Sequence, residues 1–257
     1  MTDSGSLPSR LTAGLSGQDL AKATAGIRAA TELCQDGMKL GLGSGSTAHA
    51  FVRALAERVR DGLDIVGVPT STQTYDLASE LGVPLADLND LVELDLTIDG
   101  TDEMAPDGSM IKGGGGCLLW EKVVAKASRR VIIVADDTKL VDHLGTFPLP
   151  IEVLPFGWRS SRKQIVELLS AHGHEDPDPV LRRRGDDLVI TDSGNYILDV
   201  TLGTVTDQAE LTVLLNQIPG VVENGFFVGI ADGVVVGRPD RSSEIIQDLA
   251  DRGADRW

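Results

Sequence analysis

Apolar runs of strand length alternate with helical periodicities through the first 135 residues. Glycine-rich turns follow several of these runs, and after Pro148 the order becomes β-α-β-β-α-β. These observations predict an α/β fold: a Rossmann-like parallel sheet with helices on both faces, joined to a smaller ferredoxin-like α+β domain. The expected division gives residues 1–150, completed by 230–257, to the larger domain and 151–229 to the smaller. A chain of 257 residues can bury such cores without disulfide staples.

The elements follow in order. Leu20, Ala23, Ile27, Ala30 and Leu33 recur at helical spacing, which predicts a helix over 16–36 ended by Gly37. Strands are expected over 38–42, 65–68, 94–98 and 131–135. Helices are expected over 47–60, 71–81 (capped by Ser71 or Thr72) and 117–128. In the second unit, prolines at 148, 150 and 155 punctuate a strand near 151–154, and a helix follows over 160–172. Runs at 188–191 and 196–200 bracket Asp192-Ser193-Gly194-Asn195, a hairpin signal. A helix over 207–218 and a strand over 221–228 complete the unit, and 234–236 is expected to return to the first sheet. Residues 1–16 have no apolar segment of signal-peptide length and read as a loose polar lead-in.

Composition narrows the function. Lys and Arg number 23 against 39 Asp and Glu, a net charge of −16. So acidic a chain lacks the basic face that a nucleic-acid partner requires. No run of 18 apolar residues offers a membrane span. Cys34 and Cys117 have neither framework nor metal-ligand spacing, which fits free thiols in a cytoplasmic setting. His49, His143, His172 and His174 are scattered, and no metal site is expected. The acids are 27 Asp to 12 Glu and the bases 16 Arg to 7 Lys. This balance reads either as an ordinary solvated surface or as adaptation to a salt-rich cytoplasm, where screening over about 3 Å at 1 M tolerates self-repulsion.

Four motifs carry chemistry. Gly41-Leu42-Gly43-Ser44-Gly45-Ser46-Thr47 joins a strand to a helix. Its backbone N–H groups can cradle an anion, and Ser44, Ser46 and Thr47 add hydroxyls. No Lys follows the last glycine, so it is not a P-loop, and Ser46 stands where a dinucleotide fingerprint has its third glycine. Asp99-Gly100-Thr101-Asp102-Glu103 places three carboxylates at the carboxyl end of a strand; a capped, solvated loop is the plainer reading. Lys112 precedes four glycines, 113–116, and Glu121 lies one helical turn beyond them, where Leu118, Leu119 and Trp120 can desolvate it. A desolvated carboxylate is a better base near neutral pH, and Lys112 can face a developing oxyanion. Glu121 could instead be a surface acid paired with Lys122 or Lys126. Lys139, after Asp136-Asp137-Thr138, is expected on the rim of the first loop. Together the motifs describe a small site for an anionic ligand with acid–base equipment. Cys117, with no suitably placed His, reads as packing.

In their order and spacing these motifs resemble ribose-5-phosphate isomerase, type A. The likeness continues through Gly145-Thr146-Phe147-Pro148-Leu149-Pro150-Ile151-Glu152-Val153, Asp192-Ser193-Gly194-Asn195 and Ile218-Pro219-Gly220-Val221, spanning about 20–239. The resemblance implies aldose–ketose isomerisation of ribose 5-phosphate and ribulose 5-phosphate in the pentose phosphate pathway, with no metal or organic cofactor. By that resemblance Glu121 is the base that shuttles a proton between C1 and C2 through an enediolate. Asp99 assists ring opening and handles hydroxyl protons, Lys112 stabilises the oxyanion, and Asp102 lines the sugar site. Ser44, Gly45, Ser46, Thr47 and Lys139 bind substrate and its phosphate. The expected partner is a small sugar phosphate, and the expected assembly a homodimer or homotetramer contacting through the smaller domain.

The chain departs from the family pattern at Ser44, where threonine is usual, although a hydroxyl survives. An N-terminal lysine helps hold phosphate in relatives, and Lys22 is the nearest candidate. The leading dozen residues and the tail after Arg241 have no clear counterpart. A sugar-phosphate sensor of related fold would want a DNA-binding head. Here only about 40 residues with little positive charge precede the first loop. A coenzyme A transferase would use Glu121 as a nucleophile, but nothing marks a nucleotide pocket.

Overall fold

A computed structural model describes residues 7–247 and Leu249. Its main sheet has six strands in the order Ser243–Gln247, Gly233–Gly237, Val131–Asp136, Leu96–Asp99, Met38–Leu42, Ile65–Pro69. Five run parallel, and Ser243–Gln247 pairs antiparallel at one edge. The central strands are apolar on both faces because helices cover both; Val131–Asp136 is buried throughout.

Helix Gly17–Leu33 packs on Ser46–Arg60, and its small residues Ala21 and Ala25, both fully buried, let it sit close against Gly237 of the sheet. Where the two helices cross, a Cβ on Gly26 would lie 2.5 Å from the backbone nitrogen of Phe51, so only glycine fits. Phe51, Leu55, Leu40, Leu42 and Ile98 fill the core between these helices and the sheet. The helix expected over 16–36 stops at Leu33, because Cys34 turns to extended backbone. The lead-in contains a short helix, Leu7–Leu11; residues 1–6 lie outside the described residues.

The second unit is an antiparallel sheet in the order Val221–Asn224, Leu149–Val153, Tyr196–Val200, Val180–Leu181. Numbered within the unit this is 4-1-3-2, with helices Trp158–Ala171 and Gln208–Leu215 as its two helical connections. Ile165, Leu169, Leu211 and Leu215 pack against Ile151, Leu198 and Val200 in a second core that also takes in Ala105, Ile111 and Leu144 of the larger unit.

Two expectations need correction here. The partner of Tyr196–Val200 is Val180–Leu181 and not 188–191. Asp187–Leu188 instead folds back on Arg183–Arg184, with Val189 N–H donating to Arg182 O at 3.0 Å. The turn over 192–195 does form, but one bridge, Ile190 to Tyr196, is all that flanks it. The strand over 221–228 is split. Val221–Asn224 joins the small sheet, whereas Phe226–Phe227 pairs with Met110–Ile111 of the larger unit. Gly225 is the breaker: a Cβ there would lie 2.5 Å from the carbonyl of Lys112. The resulting three-stranded ribbon, Glu103–Met104, Met110–Ile111 and Phe226–Phe227, links the two units. Among the described residues no helix is long and apolar enough to cross a membrane.

Candidate active site

The chain leaves Met38–Leu42 for one edge of the sheet, Ile65–Pro69, and returns on the other side as Leu96–Asp99. Open α/β sheets hold ligands in the crevice at such a switch point, at the carboxyl ends of the strands. The first glycine loop and the Asp99 motif both start there. Asp136 ends the next strand and its side chain accepts from Thr138 N at 3.2 Å, capping the short 3₁₀ turn Asp137–Lys139. The ribbon strand Met110–Ile111 delivers Lys112, and the glycine bend turns the chain into helix Leu118–Lys126, which carries Glu121 in its first turn. Gly113 and Gly116 have φ of +104° and +88°, so the bend needs residues without a Cβ.

Three charged side chains meet almost out of water: Asp99 is 2% exposed, Lys112 3% and Glu121 5%. Lys112 Nζ lies 3.0 Å from Asp99 Oδ2 and 3.2 Å from Glu121 Oε1, and donates to Gly100 O at 2.6 Å. The second oxygen of Glu121 is buried with no hydrogen-bond partner among the described residues. Burial, and then the nearby Asp99 charge, push the Glu121 carboxyl up to about 8, against the pull of Lys112. Burial alone would lower the Lys112 ammonium, but Asp99 and Glu121 outweigh it and hold the lysine above its ordinary value. The result is a permanent cation beside a carboxylate that titrates near neutrality.

Asp99 Oδ1 accepts from Ser44 N at 3.0 Å and Gly100 N at 2.7 Å. A Cβ on Gly43 would collide with this carboxylate, which explains the glycine. Asp102 Oδ2 accepts from Gly114 N at 2.8 Å and so faces the glycine bend. A cavity of about 150 Å³ opens over this group, lined among others by Ser44–Thr47, Asp102, Lys112, Glu121, Lys22 and Lys139. Helix Ser46–Arg60 begins at the cavity, and its first N–H groups have no intrahelical partner. Gly45, in the positive-φ conformation at +88°, aims the loop into that start. With Lys22 and Lys139 also in the lining, the cavity is suited to an anion.

The family model of ribose 5-phosphate isomerase A (phosphoriboisomerase A) matches residues 66–241. The chain is 52% identical over 236 residues to ribose-5-phosphate isomerase A of Jannaschia sp. (strain CCS1), covering 91% of this chain and 90% of that one. The chain belongs to the ribose 5-phosphate isomerase A family. Among solved structures, ribose 5-phosphate isomerase from Plasmodium falciparum superposes with a TM-score of 0.85 at 32% identity, covering 89% of this chain and 98% of that one. The isomerase A from Methanocaldococcus jannaschii gives 0.79 at 38% identity, covering 88% and 97%. A further D-ribose-5-phosphate isomerase, solved in complex with phospho-erythronic acid, gives 0.80 at 38%, also covering 88% and 97%.

Within this isomerase-family site, the structure gathers Glu121, Lys112, Asp102, Ser44, Gly45, Ser46, Thr47 and Lys139 around one cavity. Asp99 does not line it; it sits one layer behind, bonded to Lys112 and the Ser44 turn. The Ser44 hydroxyl is engaged inward with Thr70 (2.8 Å), Ser71 (2.7 Å) and Thr74 (3.1 Å). Glu103, the third acid of its motif, holds the chain over 145–147 by accepting from Gly145 N and Phe147 N at 2.7 and 2.6 Å. Lys122 pairs with Glu223 at 2.8 Å, leaving Lys112 as the partner of Glu121. Gln73 and Cys117 also line the cavity and were not marked as site residues by their motifs. Gln73 could have been found as a first-turn residue of the helix that follows Ile65–Pro69. Burial, with Glu121 and Asp192 nearby, pushes the Cys117 thiol up to about 12, so it is no thiolate.

Proposed function

We propose that the chain interconverts D-ribose 5-phosphate and D-ribulose 5-phosphate through an enediolate, with Glu121 as the base. The observation that carries this is the pairing of Glu121 and Lys112 at 3.2 Å in a cavity that Lys22 and Lys139 also line. Membership of the isomerase A family supports it, as does the relative whose structure holds a phosphorylated sugar acid.

In this reading the phosphate rests on the start of helix Ser46–Arg60, with Lys139 and Lys22 beside it. Binding there orients the reacting carbons. The Glu121 carboxylate takes the proton from C2 of the open-chain aldose. The electron pair moves to the carbonyl oxygen at C1, where Lys112 offsets the charge. The C2 hydroxyl proton passes to that oxygen, and protonated Glu121 returns its proton to C1, giving the ketose. Asp102 faces the sugar hydroxyls. Asp99 holds Lys112 and the Ser44 turn in register; direct work on the sugar would require it to emerge from behind Lys112. No metal or organic cofactor enters these steps.

The direct experiment is purified protein in molar salt with EDTA, given ribose 5-phosphate and assayed for ketose. Ketose formation supports the reading, and its absence contradicts it. We further read residues 1–150 with 230–257, and 151–229, as the two domains, supported by their distinct six-stranded and four-stranded sheets; residues 248 and 250–257 lie outside the described residues. A homodimer or homotetramer through the smaller domain is supported by exposed Leu154, Phe156, Val180 and Val213, with Phe156 94% exposed. Free Cys34 and Cys117 support a cytoplasmic setting. The acidic surface supports a salt-rich one.

A further inference from the structure

The glycine bend has no side chains with which to hold itself. Four consecutive glycines have more backbone freedom than any other sequence, yet this bend adjoins Lys112 and bonds Asp102. Lys112 precedes it directly, and Asp102 is fastened to Gly114 N at 2.8 Å.

Besides Asp102, a side chain from the smaller unit grips the bend. Arg182 Nη1 donates to Gly113 O at 2.7 Å and to Gly114 O at 3.0 Å. The other edge of the same guanidinium is taken by Asp199, with Nε to Oδ2 at 2.7 Å and Nη2 to Oδ1 at 2.5 Å. Asp199 lies on the central strand Tyr196–Val200, so the fork is anchored in that sheet. The Arg182 side chain is only 13% exposed and does not line the cavity. A planar guanidinium can serve a bidentate carboxylate and two carbonyls at once, whereas an ammonium cannot.

We propose that Arg182, oriented by Asp199, is a positioning residue that fixes the 113–116 bend and thereby sets Lys112 and Asp102 for the isomerisation. This inference rests on the functional reading above. It gives the smaller unit a part in catalysis without contact with substrate.

The test uses full-length Arg182→Ala, Arg182→Lys and Asp199→Asn, with Arg183→Ala as control. Arg183 is exposed, and its guanidinium donates to the nearby Asp186 O. Displacing a positioned group by about 1 Å can cost ~10²-fold in rate. Arg182→Ala is therefore expected to lose ~10²-fold in kcat with KM little changed, Asp199→Asn less, and Arg183→Ala nothing. Guanidinium chloride at tens of millimolar should restore much of the loss in Arg182→Ala, whereas sodium chloride at equal ionic strength should not. Unchanged kcat in Arg182→Ala overturns the inference. So does a loss accompanied by a lowered Tm that guanidinium fails to restore, because the fork would then serve only the fold. If Arg182→Ala does not fold, Arg182→Lys decides: a kcat drop with KM retained supports the inference, and wild-type kcat overturns it. Wild-type protein that makes no ketose sinks the functional reading itself, whereas active wild type with indifferent Arg182 variants sinks this inference alone.

Discussion

Raising the pH from 7 to 9 perturbs the site at one group. Glu121 must be ionised to accept a proton, and in the free protein its carboxyl is held up to about 8 by burial and by Asp99. At pH 7 about 9% of it is then ionised and at pH 9 about 91%, so kcat/KM should rise about tenfold over that interval. The sign follows from the direction of the shift: a raised carboxyl pKa removes the base at low pH, so activity climbs on the alkaline side. Other groups do not mimic this. The substrate phosphate, with a second pKa of about 6, is already about nine-tenths dianionic at pH 7 and changes little over the interval. Lys112 is held above its ordinary value and stays charged throughout. The assay is initial-rate ketose formation at low ribose 5-phosphate in buffers of constant ionic strength. A kcat/KM that stays level from about pH 7 to 9, or falls, would refute the assignment of a desolvated base at Glu121.

Other perturbations separate the remaining roles. Lys112→Ala removes the cation between two buried acids. It should lower kcat by ~10²-fold, roughly 3 kcal/mol, and move the alkaline rise to still higher pH because Glu121 loses its stabilising partner. A variant that only raises KM would make Lys112 a ground-state binder. Lys139→Ala and Lys22→Ala should each raise KM with smaller effects on kcat; unchanged KM in both would remove them from phosphate binding. Gly114→Ala places a Cβ 2.7 Å from Asp102 Oδ1 and 2.9 Å from the Phe147 ring. It should lower kcat and destabilise by about 1–3 kcal/mol, measured by denaturant unfolding. If the acidic surface is adapted to salt, dialysis to low salt should lower Tm, and a constant Tm across molar salt contradicts that adaptation.

The parallel sheet was legible because its strands are buried on both faces and read as near-continuous apolar runs, as in Val131–Asp136. The two-residue ribbon strands were not, since pairing of 103–104, 110–111 and 226–227 depends on tertiary approach. Gly225 was the readable warning that 221–228 is not one strand. Edge strand Ser243–Gln247 carries too weak an alternation to stand out from the tail. At the site, motif spacing identified the residues around the cavity but could not rank the three acids of 99–103. The turn after Leu96–Asp99 buries Asp99 behind Lys112, sends Asp102 to the glycine bend and commits Glu103 to the chain over 145–147. Lys22 and Gln73 arrive from helices whose rotation about their axes no local motif fixes. The Arg182 fork was hidden by the strand misassignment, because Val180–Leu181 was not expected to carry the sheet.

The most direct test follows solvent hydrogen. In D₂O the wild-type protein should place deuterium at C1 of ribulose 5-phosphate formed from ribose 5-phosphate, read by NMR. Glu121→Gln should still bind the sugar phosphate but lose at least ~10³-fold in both exchange and turnover. Deuterium entering at the wild-type rate with Glu121→Gln would contradict the account, because the proton would then be moved by another group.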